Sequence, residues 1–92
     1  MIKSFAHKGL ERFFTTGSQA GIQAIHGKRL RFILALLSDA AEIDDIDAPA
    51  LRLHPLKGDL AGIWAVTVQA NWRVIFRFEN GNVHVVDYVD YH

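Results

Sequence analysis

The sequence predicts an α+β fold with N-terminal helices packed on one face of a small antiparallel sheet. Three observations predict it: apolar residues recur at helical spacing through the first half, the pattern changes to alternation after Leu51, and Asn80-Gly81 interrupts the alternating half where a hairpin turn fits. Residues 2–5 can form a short edge strand. Residues 7–16 carry Leu10, Phe13 and Phe14 at helical spacing, with Gly17 as the stop. Residues 22–42 set Ile22, Ile25, Leu30, Ile33, Leu34, Leu37 and Ala41 largely on one stripe, as in a helix lying on a sheet. The acidic stretch to Asp47, closed by Pro49, ends that helix.

Residues 63–69, 72–79 and 83–89 are rich in aromatic and β-branched side chains and read as three strands. Asn80-Gly81 supplies the positive φ angles of a type I′ turn, so the last two strands form a two-residue hairpin. Such a turn sets the register: a regular ladder pairs Phe78 with Val83, Arg77 with His84, Phe76 with Val85 and Arg73 with Tyr88. Trp72, Val74, Phe76 and Phe78 then make the core face. Arg73 and Arg77 fall on the opposite face with Tyr88 and His84, a polar group for a sheet. The same regular extension keeps Tyr88, Asp90 and His92 beside Arg73 and sends Tyr91 to the core side. Only a bulge, or departure of the chain end from the sheet, turns Tyr91 towards Arg73.

At 92 residues, half of them apolar, the chain can build one core, and we expect a single domain over 1–92. It has no cysteine, which excludes a disulfide framework, thiolate chemistry and a thiolate zinc site, and which suits a reducing compartment. With no apolar run near the roughly 18 residues of a membrane span and no secretory pattern at the start, a cytoplasmic protein is expected. Net charge is zero, which argues against a nucleic-acid binder held by bulk charge. The charge is nonetheless segregated. Six basic residues (Lys3, Lys8, Arg12, Lys28, Arg29, Arg31) meet a single acid, Glu11, up to Leu37, and five acids with no base follow from Ser38 to Ala50.

Chemistry-bearing residues gather in four stretches: 53–58 (Leu-His-Pro-Leu-Lys-Gly), 71–73 (Asn-Trp-Arg), 86–88 (Val-Asp-Tyr) and 90–92 (Asp-Tyr-His). Metal-free RNA cleavage needs a base for the 2′-hydroxyl, an acid for the leaving 5′-oxygen and cations on the phosphate. His54, Asp90, Tyr91 and His92 can serve as base or acid. Arg73 and Lys57 suit the phosphate, the first as a bidentate fork and the second as a point charge. The five histidines show no metal-ligand spacing, and no phosphate-binding glycine loop or nucleophile elbow is present, so no metal and no cofactor is expected.

Phe5, the run His7-Lys8-Gly9-Leu10, Phe14, Gly17, the 53–58 stretch, Gly62 with Trp64, Asn71-Trp72-Arg73 and the closing Val86-Asp87-Tyr88-Val89-Asp90-Tyr91-His92 together resemble the HigB toxins of the RelE superfamily. The match runs almost end to end. It implies a RelE-like microbial RNase fold and metal-independent cleavage of messenger RNA in the A site of the small ribosomal subunit. It also implies neutralisation by a HigA-like helix-turn-helix antitoxin, with operator DNA reached only through that antitoxin. By position, the resemblance assigns catalysis to His54, Arg73, Asp90, Tyr91 and His92, and substrate binding to Lys57 and Asn71. Lys28, Arg29 and Arg31 are the expected contacts to ribosomal RNA. Two other readings of the same fold are a toxin directed at DNA gyrase and an inactive module that only binds antitoxin.

Overall fold

The computed structural model describes residues 1–91. Helices α1 (Lys8–Thr16) and α2 (Gly27–Asp39) precede strands β1 (His54–Pro55), β2 (Ile63–Gln69), β3 (Trp72–Glu79) and β4 (Asn82–Asp90), with short 3₁₀ turns between them. The sheet is antiparallel throughout, in the order β1-β2-β3-β4. Leu10 and Phe13 of α1 and Leu30, Ile33, Leu34 and Leu37 of α2 are buried against Val66, Val74, Phe76, Val83 and Val86, so both helices cover one face of the sheet and leave the other open.

Helix α1 begins at His7, whose Nδ1 accepts the Leu10 N–H at 2.9 Å and so satisfies a donor that the first turn leaves unpaired. The single helix expected over 22–42 is shorter. Ala24–His26 is a 3₁₀ turn, α2 starts only at Gly27, and Ala40 is already extended. Electrostatics accounts for the early end, because carboxylates at a helix C-terminus oppose its dipole. They are stabilising at an N-terminus, and there the chain uses them: Asp45 caps the next 3₁₀ turn, Ile43–Ile46, accepting the Ala41 and Glu42 N–H groups at 2.9 and 3.0 Å. Those two donors hold its carboxyl below the usual aspartate pKa.

Strands β2 and β3 occupy the predicted residues. Asn80 and Gly81 both have positive φ, as the type I′ turn requires, and Phe78 faces Val83 and Arg77 faces His84. Beyond that point the regular register fails. Val85 takes φ 48°, the ladder slips by one residue between Ile75 and Arg77, and Val74 then pairs with Tyr88, Arg73 with Val89 and Trp72 with Asp90. Arg73 therefore does not lie opposite Tyr88, and Phe76 does not lie opposite Val85 alone.

The N-terminal segment supports this bulge. Instead of a continuous edge strand, it makes two isolated parallel bridges to β4, Ile2 with Val83 and Phe5 with Val86. Between them the Ser4 hydroxyl accepts the Val85 N–H at 2.9 Å, and the Ser4 carbonyl accepts that of Val86. A bulged residue leaves its amide outside the ladder, and the serine satisfies it.

Candidate active site

The open face of the sheet is arranged in cross-strand rows. Nearest the β2–β3 turn lie Thr67, Arg73 and Val89; next come His54, Ala65, Ile75 and Asp87; then Ile63, Arg77 and His84, towards the Asn80-Gly81 turn. One slip in β4 decides which of its residues join these rows, because successive strand residues alternate faces. Tyr88 moves to the helix side and Tyr91 to the side of Arg73. Asp90, expected beside Arg73, instead pairs with Trp72 on the helix side.

Three carbonyls at the β2–β3 turn organise the site at its edge. Ala70, with φ 51°, reverses the chain after β2, and its carbonyl accepts from Nη1 of Arg73 at 2.6 Å; the Trp72 carbonyl accepts from the same nitrogen at 3.1 Å. The guanidinium is thus held at the turn, with Nη2 and Nε left for another acceptor. The Asn71 carbonyl accepts the Tyr91 N–H at 2.8 Å, which ties the chain beyond β4 to the same turn. Tyr91 is 40% exposed, so its phenol is accessible although its backbone is anchored.

His54 sits on β1, paired with Ala65 and exposed. Arg52 adopts a left-handed conformation that turns its carbonyl towards the imidazole, and His54 Nδ1 lies 2.8 Å from that oxygen. A carbonyl only accepts, so Nδ1 carries the hydrogen, and in the neutral ring Nε2 keeps the lone pair. Lys57 is exposed just beyond β1, and Asn71 is exposed on the turn that holds Arg73. The open face therefore carries His54 on β1 and Arg73 on β3 one row apart, with Asn71 and Tyr91 at the β2–β3 turn and Lys57 just beyond β1. His92, assigned to catalysis from the sequence, lies outside the described residues.

Behind the sheet is a polar cluster that sequence reasoning missed. The Tyr88 hydroxyl lies 2.6 Å from His26 Nδ1 and accepts the Gln23 N–H at 3.4 Å. Its ring stacks on Trp72 with centroids 4.5 Å apart, and His7 and His26 meet it edge-on. Gly9 and Gly21 make this cluster possible: a Cβ on Gly9 would come within 2.8 Å of the Gly21 Cα, so only glycines let the loop after α1 close over the helix and bring Gln23 and His26 inward. Burial raises the Tyr88 pKa, and the nearby Asp90 carboxylate adds to the rise against the opposing Gln23 N–H.

The three basic residues expected to meet ribosomal RNA do not converge. Arg29 Nε donates to the Val68 carbonyl at 3.2 Å, fastening α2 to β2, and with Lys28 it lines a cleft of 440 Å³ that includes Ile25 and Phe32. Arg31 instead lies over the Phe13 ring, 5.7 Å from its centroid, beside α1. Lys28 and Arg31 are exposed, whereas Arg29 is half-buried.

Two helices cover one face of a four-stranded antiparallel sheet and leave the other to His54 and Arg73, and the chain belongs to the class of RelE-like toxins. The chain belongs to the HigB family within it: the family described as "RelE-like toxin of type II toxin-antitoxin system HigB" matches residues 3–92. Among characterised proteins it is similar to Endoribonuclease HigB of Proteus vulgaris, 45% identical over the full length of both chains. Among solved structures it is similar in fold to a mutant of YafQ from E. coli (TM-score 0.67, 17% identity, covering 98% of this chain and 91% of that one). A YoeB/ParE toxin from Agrobacterium tumefaciens is alike to the same degree (TM-score 0.66, 16% identity, covering 99% and 98%). Membership of a type II system implies an antitoxin as partner. Among the described residues, no helix is long and apolar enough to cross a membrane.

Proposed function

We propose that the whole chain, residues 1–92, acts as one toxin domain: a metal-independent endoribonuclease that cuts messenger RNA in the A site of the cytoplasmic ribosome and is silenced by a HigA-like helix-turn-helix antitoxin. The observation that carries this reading is the pairing, on one open face, of an imidazole committed through Nδ1 to Arg52 with a guanidinium committed through Nη1 to Ala70 and Trp72. Each group keeps its other edge for substrate. His54 Nε2 takes the proton of the 2′-hydroxyl as that oxygen attacks phosphorus, while Arg73 holds the non-bridging oxygens through Nη2 and Nε. The bond from phosphorus to the 5′-oxygen breaks, and Tyr91 or His92 returns a proton to it, with Asp90 one residue away on the helix side. The products are a 2′,3′-cyclic phosphate and a free 5′-hydroxyl. Asn71 and Lys57 position the strand.

Ribosome dependence follows from charge. A neutral chain attracts RNA weakly, so alignment of the 2′-hydroxyl with the phosphate falls to the ribosome, helped by Lys28, Arg29 and Arg31. The test is messenger cleavage in a translating extract against the same RNA without ribosomes, each with and without chelator. Cuts only in the translated sample, insensitive to chelator while ribosomes stay intact, are expected. Equal cleavage of free RNA would remove the ribosome from the mechanism. Intact messenger together with arrested DNA supercoiling would point to gyrase, and no effect on either would leave an antitoxin-binding module.

A further inference from the structure

Arg77 lies on the open face two rows from the catalytic turn and has no part in the site described above. It is exposed, and neither it nor its cross-strand neighbour His84 makes a hydrogen bond or ion pair among the described residues. Glu79 is next along the same strand and face, yet the two do not pair. Opposite charges across a ladder stabilise a sheet and like charges weaken it, so an arginine set against a histidine offers the fold little.

Its surroundings fit a polyanion. Arg73 and Arg77 are four residues apart on one strand, about 13 Å at ordinary strand rise. Arg73 is drawn back to the Ala70 and Trp72 carbonyls, whereas Arg77 extends the other way: its Nη1 would lie 3.9 Å from a Cβ on Gly62. The two guanidiniums therefore diverge and cannot close on the same phosphate. The row of His54 runs between them. Gly62, at φ 93°, turns the chain into β2 and leaves no side chain beside the guanidinium. A guanidinium and an imidazole thus sit at one end of the open face, and the catalytic turn occupies the other.

We propose that Arg77, with His84 beside it, is a second phosphate grip, holding a phosphodiester of the same RNA strand remote from the one cleaved. It rests on the nuclease reading and adds a substrate requirement: the RNA must extend past the scissile linkage towards the Asn80-Gly81 end. An acidic protein segment would find the same charges, but continuity with the row of His54 and the divergence of the arginines favour a strand crossing the face.

The experiment measures Arg77→Ala, Arg77→Lys and Arg12→Ala, the last removing an exposed charge from α1. Each is assayed for messenger cleavage on ribosomes and for binding of a 2′-O-methylated, uncleavable RNA, presented free and on programmed ribosomes. Arg77→Ala is expected to raise KM and Kd about tenfold with kcat nearly unchanged, and to lower the salt slope of binding by about one. Arg77→Lys should recover part of the affinity, and Arg12→Ala should match the parent. Shortening the RNA to end at the scissile linkage should erase the difference between parent and Arg77→Ala. Parent-like KM and salt slope in Arg77→Ala would overturn the grip while leaving the nuclease reading intact. A parent that cuts no messenger, yet binds the uncleavable RNA through Arg77, would overturn the nuclease reading alone. A parent that neither cuts nor binds RNA would overturn both.

Discussion

Replacing Val85 by asparagine should leave the fold almost as stable as the parent, whereas the same change at Val86 should be severe. The contrast follows from the bulge. Val85 holds φ 48°, a left-handed conformation that costs a β-branched residue about 1 to 2 kcal/mol and that asparagine tolerates. Its side chain is 44% exposed, so truncating the apolar part loses about 1 kcal/mol of burial. The two terms nearly cancel, and a net change within about 1 kcal/mol is expected. Val86 is fully buried, and asparagine there forfeits the burial and strands an amide, together about 3 to 5 kcal/mol. For a domain of this size that gap is on the order of 12 to 40 °C in Tm, measurable by thermal melting and checked by urea denaturation. If Val85→Asn is as damaging as Val86→Asn, the ladder is regular, Phe76 faces Val85, and Tyr88 rather than Tyr91 shares the face of Arg73.

Arg73→Ala should abolish cleavage while moving Tm little, since its contacts are to carbonyls at an exposed turn. Trp72→Ala removes the ring stacked on Tyr88 and should cost about 2 to 4 kcal/mol, read in the same melts, with cleavage retained below the lowered Tm. Tyr88→Phe should cost about 1 to 2 kcal/mol at neutral pH, because the Gln23 N–H and His26 lose their partner. It should also change the alkaline limb of the stability curve. The folded pKa of Tyr88 is raised, so in the parent its contribution is complete below the ordinary tyrosine range near pH 10 and is lost as pH rises through the folded value. Denaturation from pH 8 upward should show that this part of the decline is absent from the phenylalanine variant, and an identical slope in both would refute the assignment.

The sequence alone determined the class of the fold, because the evidence for it is local. Helical spacing around Leu10 and Phe13, alternation in 72–79 and the Asn80-Gly81 turn each follow from backbone chemistry within a few residues, and the structure keeps them. Spacing also put Arg73 and Arg77 on the face away from the helices, since both lie on a strand whose core residues are unmistakable. The resemblance to the HigB family, which the family match bears out, rests on residues scattered over the whole chain and was legible for that reason.

Tertiary structure decided what parity could not. Nothing in the pair Val85-Val86 signals which valine is pushed out; the choice depends on Ser4, more than 80 residues away, reaching the stray amide. That one slip exchanges Tyr88 for Tyr91 on the open face, carries Asp90 to the side of Trp72, and creates the buried contact between Tyr88 and His26. In the same way, the hydrogen on His54 Nδ1 is set by a carbonyl that faces it only because Arg52 turns left-handed, and Arg73 is aimed by the carbonyl of Ala70. A strand's faces alternate by rule, so its own residues predict them until a bulge intervenes, and a bulge is chosen by whichever distant group can satisfy the amide it leaves unpaired.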